Sequence, residues 1–327
     1  MKDKNRELVE YVQQLLEKKG RRALDFAKKS VLGGKIHCEE IREALTNFFE
    51  YWNELARPSL ISICCEAVGG NFETTIPFAA SITLICGATD VHDDIIDKSK
   101  RKLSHSTIFG KFGQDIALLI GDALLFKGFL ILHKASEGIS TKQTAQIYNT
   151  IENLLFEMGY GEALELKFRG KLDVKLEEYI SLVKMKAADI EACARIGAIL
   201  GSGSEKQINA LGKYGRMLGA IIILRDDLAD TIDPQEAPYR FKNEPLPLPI
   251  LIALKDSKMQ HEISPILFKR RITRKDLEII SQTIHKTSAV ERVEQIIRRM
   301  SMQAHNYIKE IPKKDDLKSL IDVAVSF

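Results

Sequence analysis

Two long apolar stretches of helical period each run directly into a cluster of carboxylates, and few folds can accommodate that combination. Ile82-Thr83-Leu84-Ile85-Cys86-Gly87-Ala88-Thr89 leads to Asp93-Asp94-Ile95-Ile96-Asp97. Leu218-Gly219-Ala220-Ile221-Ile222-Ile223-Leu224 leads to Asp226-Asp227-Leu228-Ala229-Asp230. On a helix, residues i and i+4 lie one above the other, so Asp93 and Asp97 share a face, as do Asp226 and Asp230. Like charges at that spacing repel, and carboxylates in apolar surroundings are costly unless paired or bound to cations. Either cluster alone is also compatible with a solvated helix face. Two of the same design, each ending an apolar run, point to a shared positive ligand. Facing each other, such helices would suit Mg²⁺ carrying a phosphate group, since Mg²⁺ favours a few carboxylates completed by phosphate oxygens and water.

Composition bounds the rest. The 327 residues are 45% hydrophobic and 28% charged, enough for a substantial core under a polar surface. With 48 basic against 45 acidic residues, nothing argues for nucleic-acid binding, which shows a strong basic excess. Five cysteines, Cys38, Cys64, Cys65, Cys86 and Cys193, form no C-x-x-C pair and mostly fall in apolar helical runs. That pattern reads as a reducing, intracellular setting without structural disulfides or a zinc site. Met1-Lys2-Asp3-Lys4-Asn5-Arg6-Glu7 lacks the apolar core of a secretory signal. Charges interrupt the apolar runs before the roughly 18 residues of a membrane span. A cytoplasmic chain with no transmembrane segment is expected.

Period-3.6 patterns dominate and strand-like alternation is nearly absent, so the expected class is all-α. Breaks are read at Lys19-Gly20, Gly33-Gly34, Gly69-Gly70, Gly138, Gly170, Gly201-Ser202-Gly203 and from Pro234 through Pro249. Helices are expected over 4–18, 38–55, 58–68, 74–98, 114–135, 140–160, 175–200 and 205–232. Shorter ones are expected over 247–256, 273–285, 288–308 and 314–325, with every proline at a helix start or in a loop. No linker or repeat divides the chain, so one domain over 1–327 is the reading. Segment 233–249 is the longest irregular stretch and directly follows the second cluster. It is either a lid or a proline-stiffened connector.

With these residues in place, the chain resembles the trans-isoprenyl diphosphate synthases (the polyprenyl synthetase family), and archaeal members most. Val91-His92-Asp93-Asp94-Ile95-Ile96-Asp97 looks like the family's first aspartate-rich motif. Thr107, Phe112-Gly113 and Ile120-Gly121-Asp122 fall where the family has its threonine, Phe-Gly and Gly-Asp. Gly161-Glu162-Ala163-Leu164-Glu165-Leu166 is similar to its Gly-Gln-x-Leu-Asp-Leu segment, and Lys186-Ala187-Ala188 to its Lys-Thr-Ala segment. Tyr214-Gly215-Arg216-Met217-Leu218-Gly219 leads into the second aspartate-rich motif. The resemblance runs from about Arg57 to Leu254.

What this resemblance implies is an isoprenoid-synthase-type helical bundle around a central cavity, with three Mg²⁺ ions between the Asp clusters and an allylic diphosphate. Asp93, Asp97 and Asp226 would be direct metal ligands, and Asp94, Asp227 and Asp230 would support them or act through water. Lys186 would clamp the allylic diphosphate, although an exposed helix lysine is the plainer alternative. Lys102 aligns with the first arginine of the family's Arg-Arg pair. Arg240 and Lys242 could replace the lysine brought by the loop after the second cluster. The implied reaction ionises an allylic C–O bond, adds isopentenyl diphosphate to the resulting cation and releases pyrophosphate. It needs no protein nucleophile, and the family is usually homodimeric.

Departures from the pattern concentrate where the family holds isopentenyl diphosphate. Its Gly-Gly-Lys-x-x-Arg-Pro motif reads Trp52-Asn53-Glu54-Leu55-Ala56-Arg57-Pro58, keeping only Arg57 and reversing a charge at Glu54. Its histidine reads Cys86, its second arginine Leu103, and its Phe-Gln pair Ile222-Ile223. Each lost charge-assisted contact to a phosphate costs roughly 1.5–3 kcal/mol. Arg101, His105 and Lys35 are the basic residues available to compensate. In the family a bulky residue before the first cluster stops chain growth; here Ala88 and Thr89 are small, with Ile85 one turn deeper. That favours a product longer than farnesyl, geranylgeranyl first, unless Ala88 is small only because it packs against a neighbouring helix. The Lys269-Arg270-Arg271 and Arg298-Arg299 runs read as solvated helix faces or as a membrane-attracting surface. Two rival functions remain: a terpene-synthase-like lyase or cyclase using an allylic diphosphate alone, and a non-catalytic partner subunit of an active synthase. Retention of all six aspartates argues against the last.

Overall fold

The computed structural model describes residues 2–102, 105–234 and 236–326, and among them helix dominates, as the periodicity requires. In chain order the helices are α1 (Lys2–Leu32), α2 (Glu39–Tyr51), α3 (Ala56–Ala67), α4 (Ile76–Ile96), α5 (Ile108–Ser136), α6 (Thr141–Phe168), α7 (Leu176–Lys186) and α8 (Ala188–Leu200). They continue with α9 (Glu205–Asp230), α10 (Ala237–Asn243), α11 (Leu248–Ala253), α12 (Ser257–Leu267), α13 (Arg274–His285), α14 (Ala289–Tyr307) and α15 (Asp315–Ala324). A short 3₁₀ turn, Phe72–Thr75, precedes α4. Two strands of two residues each, β1 (Arg101–Lys102) and β2 (His105–Ser106), pair antiparallel just after the first Asp cluster. The chain forms two compact units, Met1–Glu152 with Ala192–Gly212 and Ile308–Ser319, and Asn153–Glu191 with Lys213–Tyr307 and Leu320–Phe327.

In the first unit α4 is the core element. Its Ile82, Leu84, Ile85 and Ala88 are fully buried, and a helix apolar on all sides belongs inside. Each of the isoleucine and leucine side chains contributes roughly 1.5–3 kcal/mol by leaving water. Gly128 lets α5 lie against α4: a Cβ there would stand 2.7 Å from Ile85 Cγ1. The Ser81 hydroxyl donates to the Gly128 carbonyl across the same contact, at 2.8 Å. In the second unit α14 buries Val293, Ile297, Met300 and Ala304 along one face, while Arg298 and Arg299 lie exposed. Lys269, Arg270 and Arg271 are exposed as well.

Several sequence expectations need correction. Gly20 does not end α1, which continues to Leu32. The glycine is there for packing, since a Cβ would lie 2.5 Å from Ser59 Oγ and 2.8 Å from the Leu55 carbonyl. The helix expected over 175–200 is divided at Ala187, and that expected over 140–160 runs on to Phe168. Helix α5 begins at Ile108, capped by Thr107, whose Oγ1 accepts from Gly110 N at 2.9 Å. Gly113 then adopts φ +84°, a conformation that suits glycine, and kinks the helix. Segment 233–249 is not irregular throughout, because α10 lies within it and α11 starts at Leu248. Pro238 and Pro249 fall in the first turns of those helices, where a missing N–H costs nothing. Pro265 lies inside α12, contrary to the expectation that every proline marks a start or a loop.

Two stretches, Phe72–Ile96 and Ile108–Ser136, are long and apolar enough to cross a membrane by length and composition. Burial within the first unit accounts for the first. The second is only about one-third buried, and Leu118, Leu119, Phe126 and Leu130 are exposed along it. Among the described residues all five cysteines are free thiols, four of them buried. Burial pushes the Cys65 thiol up to about 11, where it is inert at neutral pH.

Candidate active site

Both Asp clusters occupy the last turn of a helix. Asp93 and Asp94 close α4, with Asp97 as its C-cap, and Asp226, Asp227 and Asp230 close α9. Neither last turn carries a basic residue. A helix C-terminus already bears about half a negative charge, so acidic side chains are unfavourable there unless a cation compensates.

The first cluster is largely buried beneath one lysine. Asp94 and Asp97 are both less than a tenth exposed. Lys102, on β1, places Nζ 2.8 Å from Asp94 Oδ1 and 3.9 Å from Asp93 Oδ2. Asp93 Oδ1 is buried and accepts no hydrogen bond. Loss of water pushes Asp94 up to about 6 even though Lys102 pulls the other way. Burial also works against the Lys102 charge, but Asp94 and Asp93 outweigh it and hold its pKa high. His92 lies 3.4 Å from Asp122 Oδ1, and Gly121 makes room for the imidazole ring. The hairpin is fixed by His105, stacked on Tyr51 with ring centroids 4.3 Å apart, and by Thr107 Oγ1, which donates to the Ser99 carbonyl at 2.6 Å. Arg101 is exposed on β1 opposite Ser106. Ile85 and Ala88 are fully buried, and Thr89 donates to the Cys86 carbonyl at 2.7 Å. Leu103 lies outside the described residues.

The second cluster is built differently. Asp227 is fully buried, and Tyr179 OH donates to its Oδ2 at 2.7 Å. Arg240 donates to Asp227 Oδ1 and, through Nη1, to Asp230 Oδ2 at 2.7 Å. The backbone N–H of Leu248 reaches Asp227 Oδ2 at 3.4 Å. Burial raises Asp230, opposed by Arg240, and raises Asp226, opposed by Arg225 3.8 Å away. Asp226 is the open member, with its side chain 56% exposed. Lys242, expected with Arg240 as a lid cation, instead donates to the Arg270 carbonyl at 2.9 Å.

Lys186 ends α7. Its ammonium bonds to the carboxylate of Glu165 and lies 3.7 Å from Glu162 Oε1. Gly219 sets this geometry, because a Cβ there would lie 2.8 Å from Ala187 Cβ, so α9 crosses the α7–α8 joint at close range. Arg216, on α9, ties these helices to α6 as well. Its guanidinium bonds to Glu157 and Glu191 at 2.5 Å each and to the Lys184 carbonyl at 2.6 Å. Sequence reasoning gave no role to Tyr179 or Arg216, and nothing local in the sequence marks a tyrosine 48 residues before its carboxylate partner.

Among the described residues no group of three His, Cys, Asp or Glu side chains forms a ready metal cage. Magnesium does not require one, since it is held by one or two carboxylates and completed by substrate phosphates and water. Asp93 Oδ1, buried and without a hydrogen bond, and the open Asp226 carboxylate suit that mode; Asp227, bonded at both oxygens, does not.

The family model for polyprenyl synthetase matches residues 38–300, most of the chain. A geranylgeranyl diphosphate synthase of Methanosarcina mazei is 30% identical over 199 residues, 61% of this chain and 61% of that enzyme. The match thus spans less than two thirds of that relative. A geranylgeranyl diphosphate synthase of Saccharolobus solfataricus is 27% identical over 285 residues, 86% of this chain and 82% of that one. The crystal structure of a geranylgeranyl pyrophosphate synthetase from Pyrococcus horikoshii has the same fold, with a TM-score of 0.83 and 24% identity over 99% of both chains. The chain belongs to the polyprenyl synthetase family.

Proposed function

We propose that this chain is a magnesium-dependent prenyltransferase that joins an allylic diphosphate to isopentenyl diphosphate and releases pyrophosphate. Family membership and the two archaeal relatives support the reaction class. The observation that carries the reading is the placement of both carboxylate clusters at negative helix ends, with Asp93 Oδ1 buried and accepting no hydrogen bond. Mg²⁺, when bound, supplies the charge that stabilises the departing diphosphate. Asp93, Asp97 and Asp226 would hold the metal, three ions in all, with Asp94 and Asp230 adjoining. Asp227 is the buried anchor for Tyr179 and Arg240. Lys186, prepositioned by Glu165, and Lys102 contact the allylic diphosphate, and Arg57 faces the second substrate. The released pyrophosphate takes the final proton.

The small Ala88 and Thr89 favour a geranylgeranyl product. The exposed apolar stripe on α5 supports a homodimer, since it would bury Leu119, Phe126 and Leu130 against a second copy. The reading places the enzyme in the cytoplasm. One observation favours a second reading, a lyase acting on the allylic diphosphate alone: Arg57 is flanked by two carboxylates, Glu54 and Asp90. Incubation with Mg²⁺ and geranyl or farnesyl diphosphate, with and without isopentenyl diphosphate, separates them. Elongation only with both substrates supports the transferase. Pyrophosphate release from the allylic substrate alone supports the lyase, and inertness with either sinks both.

A further inference from the structure

The wall formed by the end of α2, the start of α3 and the last turns of α4 carries a charge network that the sequence pattern alone did not disclose. Asp90 Oδ2 accepts from Trp52 Nε1 at 3.1 Å and from Arg57 Nη1 at 3.4 Å. Glu54 caps α3 by accepting from the Ala56 and Arg57 backbone N–H groups, at 2.7 and 3.2 Å. The same carboxylate lies 3.9 Å from Arg57 Nη1. Both carboxylates are at least two-thirds buried, and so is Arg57, so water screens the network only partly.

A cavity of about 330 Å³ adjoins this wall, lined by Phe48, Tyr51, Trp52, Asp90, Asp94 and Lys102 among others. Its lining sets one ammonium, Lys102, against two carboxylates, Asp90 and Asp94, and Arg57 is reached only through Asp90 and Glu54. Lys102 is already engaged with Asp94 and Asp93. A polyanion entering here meets a wall with no positive excess, and like charges at close range are costly where the local dielectric is low. The indole of Trp52, stacked on Phe48 with centroids 4.9 Å apart, holds Asp90 toward Arg57 and makes the arrangement rigid.

We infer that Asp90, assisted by Glu54, sets the affinity of this enzyme for its second substrate by neutralising Arg57. Asp90 is a positioning and selectivity residue: it acts through the arginine, and it disfavours a diphosphate at this wall relative to a less charged acceptor. The inference rests on the proposed function, in which Arg57 faces the isopentenyl diphosphate.

The test is a set of variants with the two substrates measured separately. Isopentenyl diphosphate does not react alone, so its binding to the full-length protein can be titrated calorimetrically without turnover. Binding of farnesyl diphosphate with Mg²⁺ is measured on the same preparations through a non-ionisable thiodiphosphate analogue. Asp90→Asn tightens isopentenyl diphosphate binding at least tenfold and lowers its KM to match, while thiodiphosphate binding stays within twofold. Glu54→Gln moves the same constant in the same direction by less, and Asp90→Glu behaves as the parent. If Asp90→Asn leaves isopentenyl diphosphate binding unchanged or weaker, or shifts both ligands equally, the inference is overturned. Should Asp90→Asn fail to fold, Glu54→Gln alone decides by the same criterion. A parent protein that does not bind the thiodiphosphate analogue refutes the proposed function, and this inference with it.

Discussion

The two aspartate clusters share spacing, helix position and an apolar approach, yet their surroundings differ. In the first, one lysine covers a raised carboxyl at Asp94, and a neighbouring carboxylate oxygen on Asp93 accepts no hydrogen bond. In the second, the middle aspartate is sealed by a tyrosine, an arginine and a backbone N–H. The lesson is that identical motifs divide their labour. A carboxylate without a hydrogen bond stays ready for a cation, whereas a saturated one has become part of the scaffold.

The sharpest way to break this comparison is to neutralise the corresponding middle residue in each cluster. Asp227→Asn leaves the nearly buried Arg240 without its full partner, and stripping one member from a buried pair costs about 3 kcal/mol. Thermal or urea unfolding of the metal-free protein should register that loss. Asp94→Asn, whose lysine partner is more than half exposed, should shift stability at pH 7 by no more than about 1 kcal/mol. Equal losses would remove the distinction between scaffold and ligand.

A smaller effect is expected at Lys186. Removing one charge-assisted phosphate contact costs roughly 1.5–3 kcal/mol, so Lys186→Met should raise the KM for the allylic diphosphate by about ten- to a hundredfold. The KM for isopentenyl diphosphate should move little. A Lys186→Met enzyme with unaltered allylic KM would return this residue to a purely structural role beside Glu165.

The smallest effect comes with pH. Desolvation raises Asp94 to about 6, so this carboxyl gains a proton as pH falls through that value. A metal must displace that proton, and its apparent affinity at the first cluster should fall by up to roughly tenfold per pH unit below 6. For the metal-free protein the sign is opposite. A folded-state pKa above the unfolded one stabilises the fold at low pH, and that contribution is lost as pH rises through about 6. Asp94→Asn should abolish both dependences; their persistence would move the titrating group elsewhere.

Much of this was legible in the sequence because it is local. The 3.6-residue period, the two D-D-x-x-D clusters, the small Ala88 and the reversed charge at Glu54 are all visible along one strand of text. What escaped depends on distant packing. Gly20 resembles a helix break, yet α1 runs through it because Ser59 and Leu55 need the space. The joint at Ala187 falls in a stretch with unbroken helical pattern, and α9 crosses it closely at Gly219. Asp90 belongs to no motif, and only folding brings Trp52 and Arg57 to it. Arg240 lies in the loop region where a lid cation could stand, yet its five donors bridge Asp227 and Asp230.

The central claim is that both carboxylate clusters bind divalent metal together with an allylic diphosphate. Calorimetric titration of farnesyl thiodiphosphate into the protein with saturating Mg²⁺ tests it most directly, comparing the parent with Asp93→Ala and Asp226→Ala. Binding that depends on Mg²⁺ and weakens at least a hundredfold in each variant is the expected result. Binding that is indifferent to Mg²⁺, or that survives both substitutions unchanged, would contradict it.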